Sequence, residues 1–243
     1  MTLTAQKTLS ISIIIPTLNE EQYIGACLDH LLTQAKSRYD LLDELPEIIV
    51  VDGGSTDRTG QEALERGARV ITSEPGRGQQ QHCGAKAAAG DILLFLHCDT
   101  VLPETFPENI CLALQGKNIA AGAFRLKING KGLGFRLIEA GILLRSQLLA
   151  LPYGDQAVFM HRETYFTARG FPRQPIMEDV ALVHRLKKLG RIVLTQAHVT
   201  TSARRWQQHG LMKTTLINQL MLLGRAMGIS PQQLARFYSA KKK

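Results

Sequence analysis

Short apolar runs separated by amphipathic stretches set the reading of this chain. Ile11-Ser12-Ile13-Ile14-Ile15 is β-branched and predicts a strand, which Pro16-Thr17-Leu18-Asn19-Glu20 ends, with Asn19 placed to cap a helix. Apolar residues at Ile24, Leu28, Leu31 and Leu32 mark one face of a helix from Glu21 to about Ala35. A second strand, Ile48 to Val51, ends at Asp52 and its loop Gly53-Gly54-Ser55-Thr56-Asp57. A helix from about Thr59 and a short strand, Val70 to Thr72, come next. Pro75-Gly76-Arg77-Gly78 then makes a loop before an Ala-rich helix from Gln79 to Ala89. The run Gly90-Asp91-Ile92-Leu93-Leu94-Phe95-Leu96 is apolar for five consecutive positions, as in strands covered on both faces, and leads through His97-Cys98 into Asp99. Strands alternating with helices in this way predict an α/β fold with a mostly parallel central sheet and right-handed crossovers.

After Asp99 the pattern changes. Pro103 opens a helix to about Leu114, and Ile119 to Ile128 reads as a strand with Arg125 and Lys127 at its less buried positions. Gly132 to Leu151 reads as an amphipathic helix broken near Gly141, packed on the core or, in the alternative, forming a membrane-surface or dimer face. Tyr153-Gly154-Asp155-Gln156 is a turn before the strand Ala157 to Met160, and a short helix follows from Arg162 to Arg169. An irregular loop delivers Glu178-Asp179 to the start of a helix ending near Leu189. Arg191 to Leu194 is a strand, Ser202-Ala203-Arg204-Arg205-Trp206 sets two cations beside the only Trp, and Leu211 to Met227 and Pro231 to Tyr238 are terminal helices. With no repeat or linker, the 243 residues read as one domain: a ligand-binding half over about 10–100, a second half over about 101–206, and appended helices over about 207–240.

Composition adds a direction. The 29 Lys and Arg against 21 Asp and Glu give a net charge of +8, which favours anionic partners. Four cysteines without a C-x-x-C pair suit a reducing, cytoplasmic setting. Met1 to Ser10 lacks the apolar core of a signal peptide, no run has the length of a spanning helix, and Lys241-Lys242-Lys243 reads as a solvated end. The basic residues are dispersed and not interleaved with aromatics along one element, so nucleic acid is not an expected partner.

Several signatures are absent. There is no G-x-x-x-x-G-K-[ST], no complete G-x-G-x-x-G, no G-x-S-x-G and no zinc spacing. What remains is carboxylates at strand and loop ends: Asp52, Asp99, Asp155, Glu178 and Asp179. In open α/β sheets ligands bind at the carboxyl ends of the strands. Carboxylates there, in a basic field, suit transfer chemistry with a phosphate leaving group and a divalent cation held by few protein ligands. The competing reading for each is a loop cap or, for Glu178-Asp179, a favourable helix start.

Taken in order, Ile13-Ile14-Ile15-Pro16-Thr17-Leu18-Asn19-Glu20, Ile49-Val50-Val51-Asp52-Gly53-Gly54-Ser55-Thr56-Asp57, Gly90-Asp91 to Asp99, and Glu178-Asp179 resemble the family 2 glycosyltransferases of GT-A fold. Tyr153-Gly154-Asp155-Gln156 and Arg204-Arg205-Trp206 further resemble a bacterial subgroup of such transferases associated with radical-SAM and selenodomain proteins. The resemblance implies a Rossmann-like sandwich and transfer of a sugar, with inversion, from a nucleotide-sugar donor to an acceptor hydroxyl, small or lipid-linked. It implies Mg²⁺ or Mn²⁺ as cofactor. Residue by residue, it puts Pro16, Thr17, Glu20, Asp52, Gly54 and Arg77 on the nucleotide, Asp99 on the metal, and Asp179, with Glu178 as the alternative, as general base. Asp155, Arg205 and Trp206 fall to the acceptor. Three positions depart from the family pattern: His97 stands for the first Asp of D-x-D, His82 for an Asn, and Ser202 for a Gln or Arg. Two other readings stay open, a nucleotidyltransferase and a catalytically degenerate nucleotide binder. Leu211 to Leu223, with Arg225 and the Lys tail, has a membrane surface as its alternative to core packing, which would make the protein peripheral on the inner membrane face.

Overall fold

The computed structural model describes residues 10–37 and 45–240, so Met1 to Leu9 and the Lys241-Lys242-Lys243 end lie outside the described residues. The first half alternates as the apolar runs require: β1 (Ile11–Thr17), α1 (Glu21–Ser37), β2 (Glu47–Asp52), α2 (Thr59–Glu65), β3 (Arg69–Thr72), α3 (Arg77–Ala87) and β4 (Ile92–Phe95). The second half contains β5 (Thr100–Val101), α4 (Phe106–Leu114), β6 (Ile119–Asn129), α5 (Leu133–Leu149), β7 (Phe159–His161), α6 (Arg162–Thr167), α7 (Glu178–Leu186) and β8 (Arg191–Ser202). Three helices close the described chain: α8 (Arg204–His209), α9 (Leu211–Ala226) and α10 (Pro231–Ala240).

Among the described residues the sheet has eight strands in the order β3-β2-β1-β4-β7-β6-β8-β5. β3, β2, β1 and β4 run parallel, as do β6 and β8, while β7 is antiparallel to both of its neighbours and β5 to β8. One core cluster holds Ile13, Ile15, Leu28, Leu94 and Phe124, and another holds Ile14, Val51, Leu93, Phe95 and Tyr165. Alternate residues of β1 and β4 thus fall into different clusters, because a strand covered on both faces sends successive side chains to opposite sides. The sheet curls: β5 stands four places from β4 in the strand order, yet Leu96 to Asp99 alone connect them.

Several elements differ from the sequence reading. α5 is one uninterrupted helix, because Gly141 lies on an exposed turn where an added Cβ would meet no atom within 4 Å, and its cost of about 1 kcal/mol does not break a 17-residue helix. Nor is α5 buried: of its residues only Phe135 and Ser146 are. α4 begins at Phe106, with Pro107 and not Pro103 in its first turn. β8 runs eight residues beyond Leu194, and α8 and β5 were not anticipated. Asn19 does not cap α1; its side chain accepts from the Thr56 N–H, and the Glu21 N–H donates to Asp57.

Candidate active site

The carboxyl ends of β1, β2 and β4 meet where the strand order reverses about β1, the position at which open α/β sheets take ligands. Gln80, buried on α3, ties the ends of β1 and β2 together by donating to the Thr17 carbonyl at 2.7 Å and the Val51 carbonyl at 2.9 Å. Asp52 turns into its own loop, where both oxygens accept from the Ser55 N–H and Oδ1 accepts from the Ser55 hydroxyl. Gly54 is exposed with φ +90° and open space beside it, a conformation that favours glycine.

Beyond the end of β4 lies a cavity of about 220 Å³. His97, Asp99, Asp155, Glu178, Asp179 and Arg77 line it. Arg205, Trp206, and Asn218 and Tyr238 of the last two helices also line it. Each part is pinned by backbone. Asp99 sits in a turn closed by the Thr100 N–H donating to the His97 carbonyl, and the Ser202 N–H at the end of β8 donates to the Asp99 carbonyl at 3.0 Å. Gln156 is fully buried, accepts from the Ser146 hydroxyl and the Tyr153 N–H, and donates to the Phe124 carbonyl, so the short 3-10 turn Gly154–Gln156 is held from within. That turn aims the Gly154 N–H at Asp179 Oδ2, 3.0 Å away. Asp179 Oδ1 accepts from the Val180 N–H. Met177, just before these carboxylates, has φ 60°, and Ala157, just after the turn, φ 47°; strain of about 1–3 kcal/mol at such residues is maintained only by surrounding contacts.

The electrostatics separate the carboxylates. Glu178 is 4% exposed and lies 3.3 Å from the half-exposed Arg77; burial pushes its carboxyl up, Arg77 opposes this, and neighbouring Asp179 adds to it. Burial likewise raises Asp155, to about 6, with Arg145 opposing and Asp179 reinforcing. Asp99 is raised by burial against the pull of Arg204. Arg204 spans Glu20, at 3.2 and 3.3 Å, and reaches Asp99 at 3.7 Å while its guanidinium lies over the Tyr23 ring. Burial, with Arg77 nearby, pushes His97 down to about 3, so its imidazole is neutral, and its buried Nε2 has no hydrogen-bond partner.

The structure therefore brings Arg77, Asp99, Asp155, Glu178, Asp179, Arg205 and Trp206 around one cavity. Pro16, Thr17, Glu20, Asp52 and Gly54 do not line it; they lie at or after the ends of β1 and β2, joined to it through the Glu20–Arg204–Asp99 contacts. Arg77, expected with the nucleotide residues, faces the acidic pair. Arg205 donates to Asn218 and Tyr238, and Trp206 is buried edge-on to Phe135 of α5. The sequence reading did not select Arg204, Gly154, Asn218 or Tyr238. For Arg204 the signal was the Arg-Arg pair: adjacent helical residues point about 100° apart, so two cations there face different partners. His82, at the departing position, bonds the Tyr165 hydroxyl, which in turn accepts from the Phe171 N–H. Ser202 accepts from the Arg204 N–H through its hydroxyl.

No group of three His, Cys, Asp or Glu capable of holding a metal exists among the described residues. The chemistry of the donor set nevertheless fits a hard divalent cation taking most of its ligands from water and substrate phosphate. Asp99 is a half-buried carboxylate with the Arg204 guanidinium at 3.7 Å, and the neutral, unpartnered His97 nitrogen lines the same cavity.

The family model described as glycosyl transferase family 2 matches residues 12–172. Glucosyl-3-phosphoglycerate synthase of Mycolicibacterium smegmatis is 29% identical over 136 residues, which are 50% of this chain and 43% of that protein. Dolichol-phosphate mannosyltransferase of Pyrococcus furiosus is 32% identical over 155 residues, 59% of this chain and 42% of that protein. The chain thus spans less than half the length of these curated relatives. The crystal structure of glucosyl-3-phosphoglycerate synthase from Mycobacterium tuberculosis with Mn²⁺, uridine diphosphate and glucosyl-3-phosphoglycerate matches with a TM-score of 0.57 and 26% identity, covering 79% of this chain and 71% of that one. The expected α/β sandwich of GT-A type is the fold observed.

Proposed function

The chain belongs to glycosyl transferase family 2, and we propose that it moves a sugar from a nucleoside-diphosphate donor to an acceptor hydroxyl by a single inverting displacement. One observation carries this reading. Asp179 is fixed by two backbone N–H groups at the rim of a cavity that also holds Asp99, and each of its oxygens keeps a lone pair for an incoming proton. Glu178 is nearly buried and engaged by Arg77, so the general base falls to Asp179 and Glu178 positions Arg77.

In the step proposed, the acceptor oxygen attacks the anomeric carbon as its proton passes to Asp179. The bond from that carbon to the donor phosphate oxygen breaks, and the nucleoside diphosphate leaves with the bonding pair. Arg77 is placed to meet the negative charge that develops on the leaving group. Asp99 would hold Mg²⁺ or Mn²⁺, which when bound supplies Lewis-acid stabilisation to the diphosphate. Thr17, Glu20 and the Gly53–Asp57 loop would take the nucleoside, with the Arg204 contacts keeping that side in register with Asp99. Asp155 and Arg205 would face the acceptor. The relatives' use of uridine diphosphate and Mn²⁺ makes uridine diphosphate sugars the first donors to try.

The test is a panel of nucleotide-sugars with Mg²⁺ or Mn²⁺ against a chelator control, read as nucleoside diphosphate released. Asp179→Asn should cost about 10²- to 10⁴-fold in turnover while donor binding stays within about twofold. Undiminished turnover in that variant removes Asp179 from the base role. Release of pyrophosphate from a nucleoside triphosphate would instead identify a nucleotidyltransferase.

A further inference from the structure

The exposed faces of α5 and α9 are apolar. On α9, Met212, Leu216, Leu220, Leu223 and Met227 follow one another at spacings of four, four, three and four, a single stripe on a 3.6-residue helix, and all five are exposed, Met212 to 83%. The buried positions of the same helix are Thr214, Met221 and Gly224. On α5, Leu133, Leu137, Leu144 and Leu148 form a second such stripe, with Leu133 at 83% and Leu148 at 72% exposed. A surface helix ordinarily shows the reverse, polar outward. The two helices touch at their amino ends, where Gly134 lies against the Leu211 side chain.

Charge identifies the occupant. From Val180 to Lys243 the sequence holds 12 Lys and Arg and no Asp or Glu, while the preceding 179 residues carry 17 and 21. The part of the chain that contains α9 therefore has a net charge of +12 and the rest −4; α5 falls in the latter, though its own charged residues are Arg136 and Arg145 against Glu139. A second copy of this chain would set like charge against like, whereas leucine stripes beside a basic region are what the interface of an anionic bilayer accepts. No helix among the described residues is long and apolar enough to cross a membrane, so these stripes would lie in the surface plane.

We propose that the exposed stripes of α5 and α9 form a docking surface for an anionic lipid bilayer. This goes beyond the transfer reaction and does not depend on it. Asn218 and Met221 of α9 line the cavity, so docking would set one wall of the cavity against the lipid interface.

The test uses the full chain and sedimentation with vesicles of phosphatidylcholine alone or containing about 40% phosphatidylglycerol, at about 50 mM and about 500 mM salt. Binding to the anionic vesicles at low salt should exceed binding to the neutral ones by at least about tenfold and fall steeply at high salt. Leu216→Glu with Leu223→Glu, both exposed and outside the cavity lining, should reduce it by at least about tenfold with unchanged circular dichroism and thermal unfolding. No sedimentation with anionic vesicles at low salt overturns the proposal. So does equal binding by the double variant, or a dimer in solution that the double variant converts to monomer.

Discussion

Replacing Asp155 by Asn should stabilise the free protein near neutral pH, by an amount that depends on pH in a defined way. The Asp155 carboxylate is held in the cavity wall, its Oδ1 is buried without a partner, and burial raises its pKa from 3.8 to about 6 against the attraction of Arg145. A difference of about two units is worth about 3 kcal/mol. The sign follows from proton linkage. Below about pH 4 the carboxyl is protonated in both folded and unfolded chains and contributes nothing. Between about pH 4 and 6 only the folded chain holds the proton, so stability falls as pH rises. Above about pH 6 the full cost of about 3 kcal/mol is present and constant. Urea unfolding of wild type and Asp155→Asn, in chelator and without nucleotide, should therefore coincide near pH 4 and diverge to about 3 kcal/mol in favour of the variant at pH 7.5. With an m-value of about 3 kcal/mol/M this is a midpoint shift of about 1 M. A difference that stays flat from pH 4 to 8 would mean that the ionised carboxylate carries no desolvation cost in its cavity.

Two further substitutions probe the contacts that join the halves of the site. Arg204→Ala should destabilise by about 1–3 kcal/mol by leaving Glu20 and Asp99 without their shared cation, and Arg204→Lys should recover less than half, because an ammonium does not span both Glu20 oxygens; thermal unfolding in Asp99→Asn backgrounds should show a smaller Arg204→Ala effect, and full additivity would deny the coupling. On the proposed function Mn²⁺ should raise the melting temperature of protein saturated with uridine diphosphate; Asp99→Asn should abolish that rise, and an undiminished rise would place the cation elsewhere.

The legible parts of the fold were those that one strand or helix carries by itself. β2 and β4 carry continuous apolar runs and β1 one interrupted only by Ser12, and the ends of β2 and β4 pointed to Asp52 and Asp99. β8 hid because its second half, Thr195-Gln196-Ala197-His198-Val199-Thr200-Thr201-Ser202, mixes exposed and buried polar positions, and Thr195 and Thr201 are buried without being apolar. The exposure of α5 was illegible for a physical reason: its leucine spacing fits a buried face and a lipid-facing one equally, and only the packing of neighbours distinguishes them. Asn218 and Tyr238 reach the cavity from helices that carry no motif, and the reading of Arg205 as a site residue could not reveal that it is held by these two side chains. The sequence reading already preferred Asp179, with Glu178 as the alternative; the Gly154 N–H and the Arg77 ion pair that support this preference are both distant in sequence.

The four-residue link between β4 and β5 has a consequence for how the protein assembles. Five residue steps, at about 3.6 Å each, reach at most about 18 Å, while four strand spacings across a flat sheet are about 19 Å. The link is consequently a hoop that closes only when the sheet has rolled far enough to return its last-placed edge to its middle. The strand that receives it, β8, is synthesised about 90 residues later. Asp99 is thus encoded early and gripped from far downstream: its turn is held by a Ser202 N–H at the end of a strand that the chain supplies much later. A chain cut before Arg191 would retain the β1–β4 ladder yet lack the grip on this turn, so the Mn²⁺-dependent nucleotide binding proposed above would serve as a reporter that the whole scroll has closed.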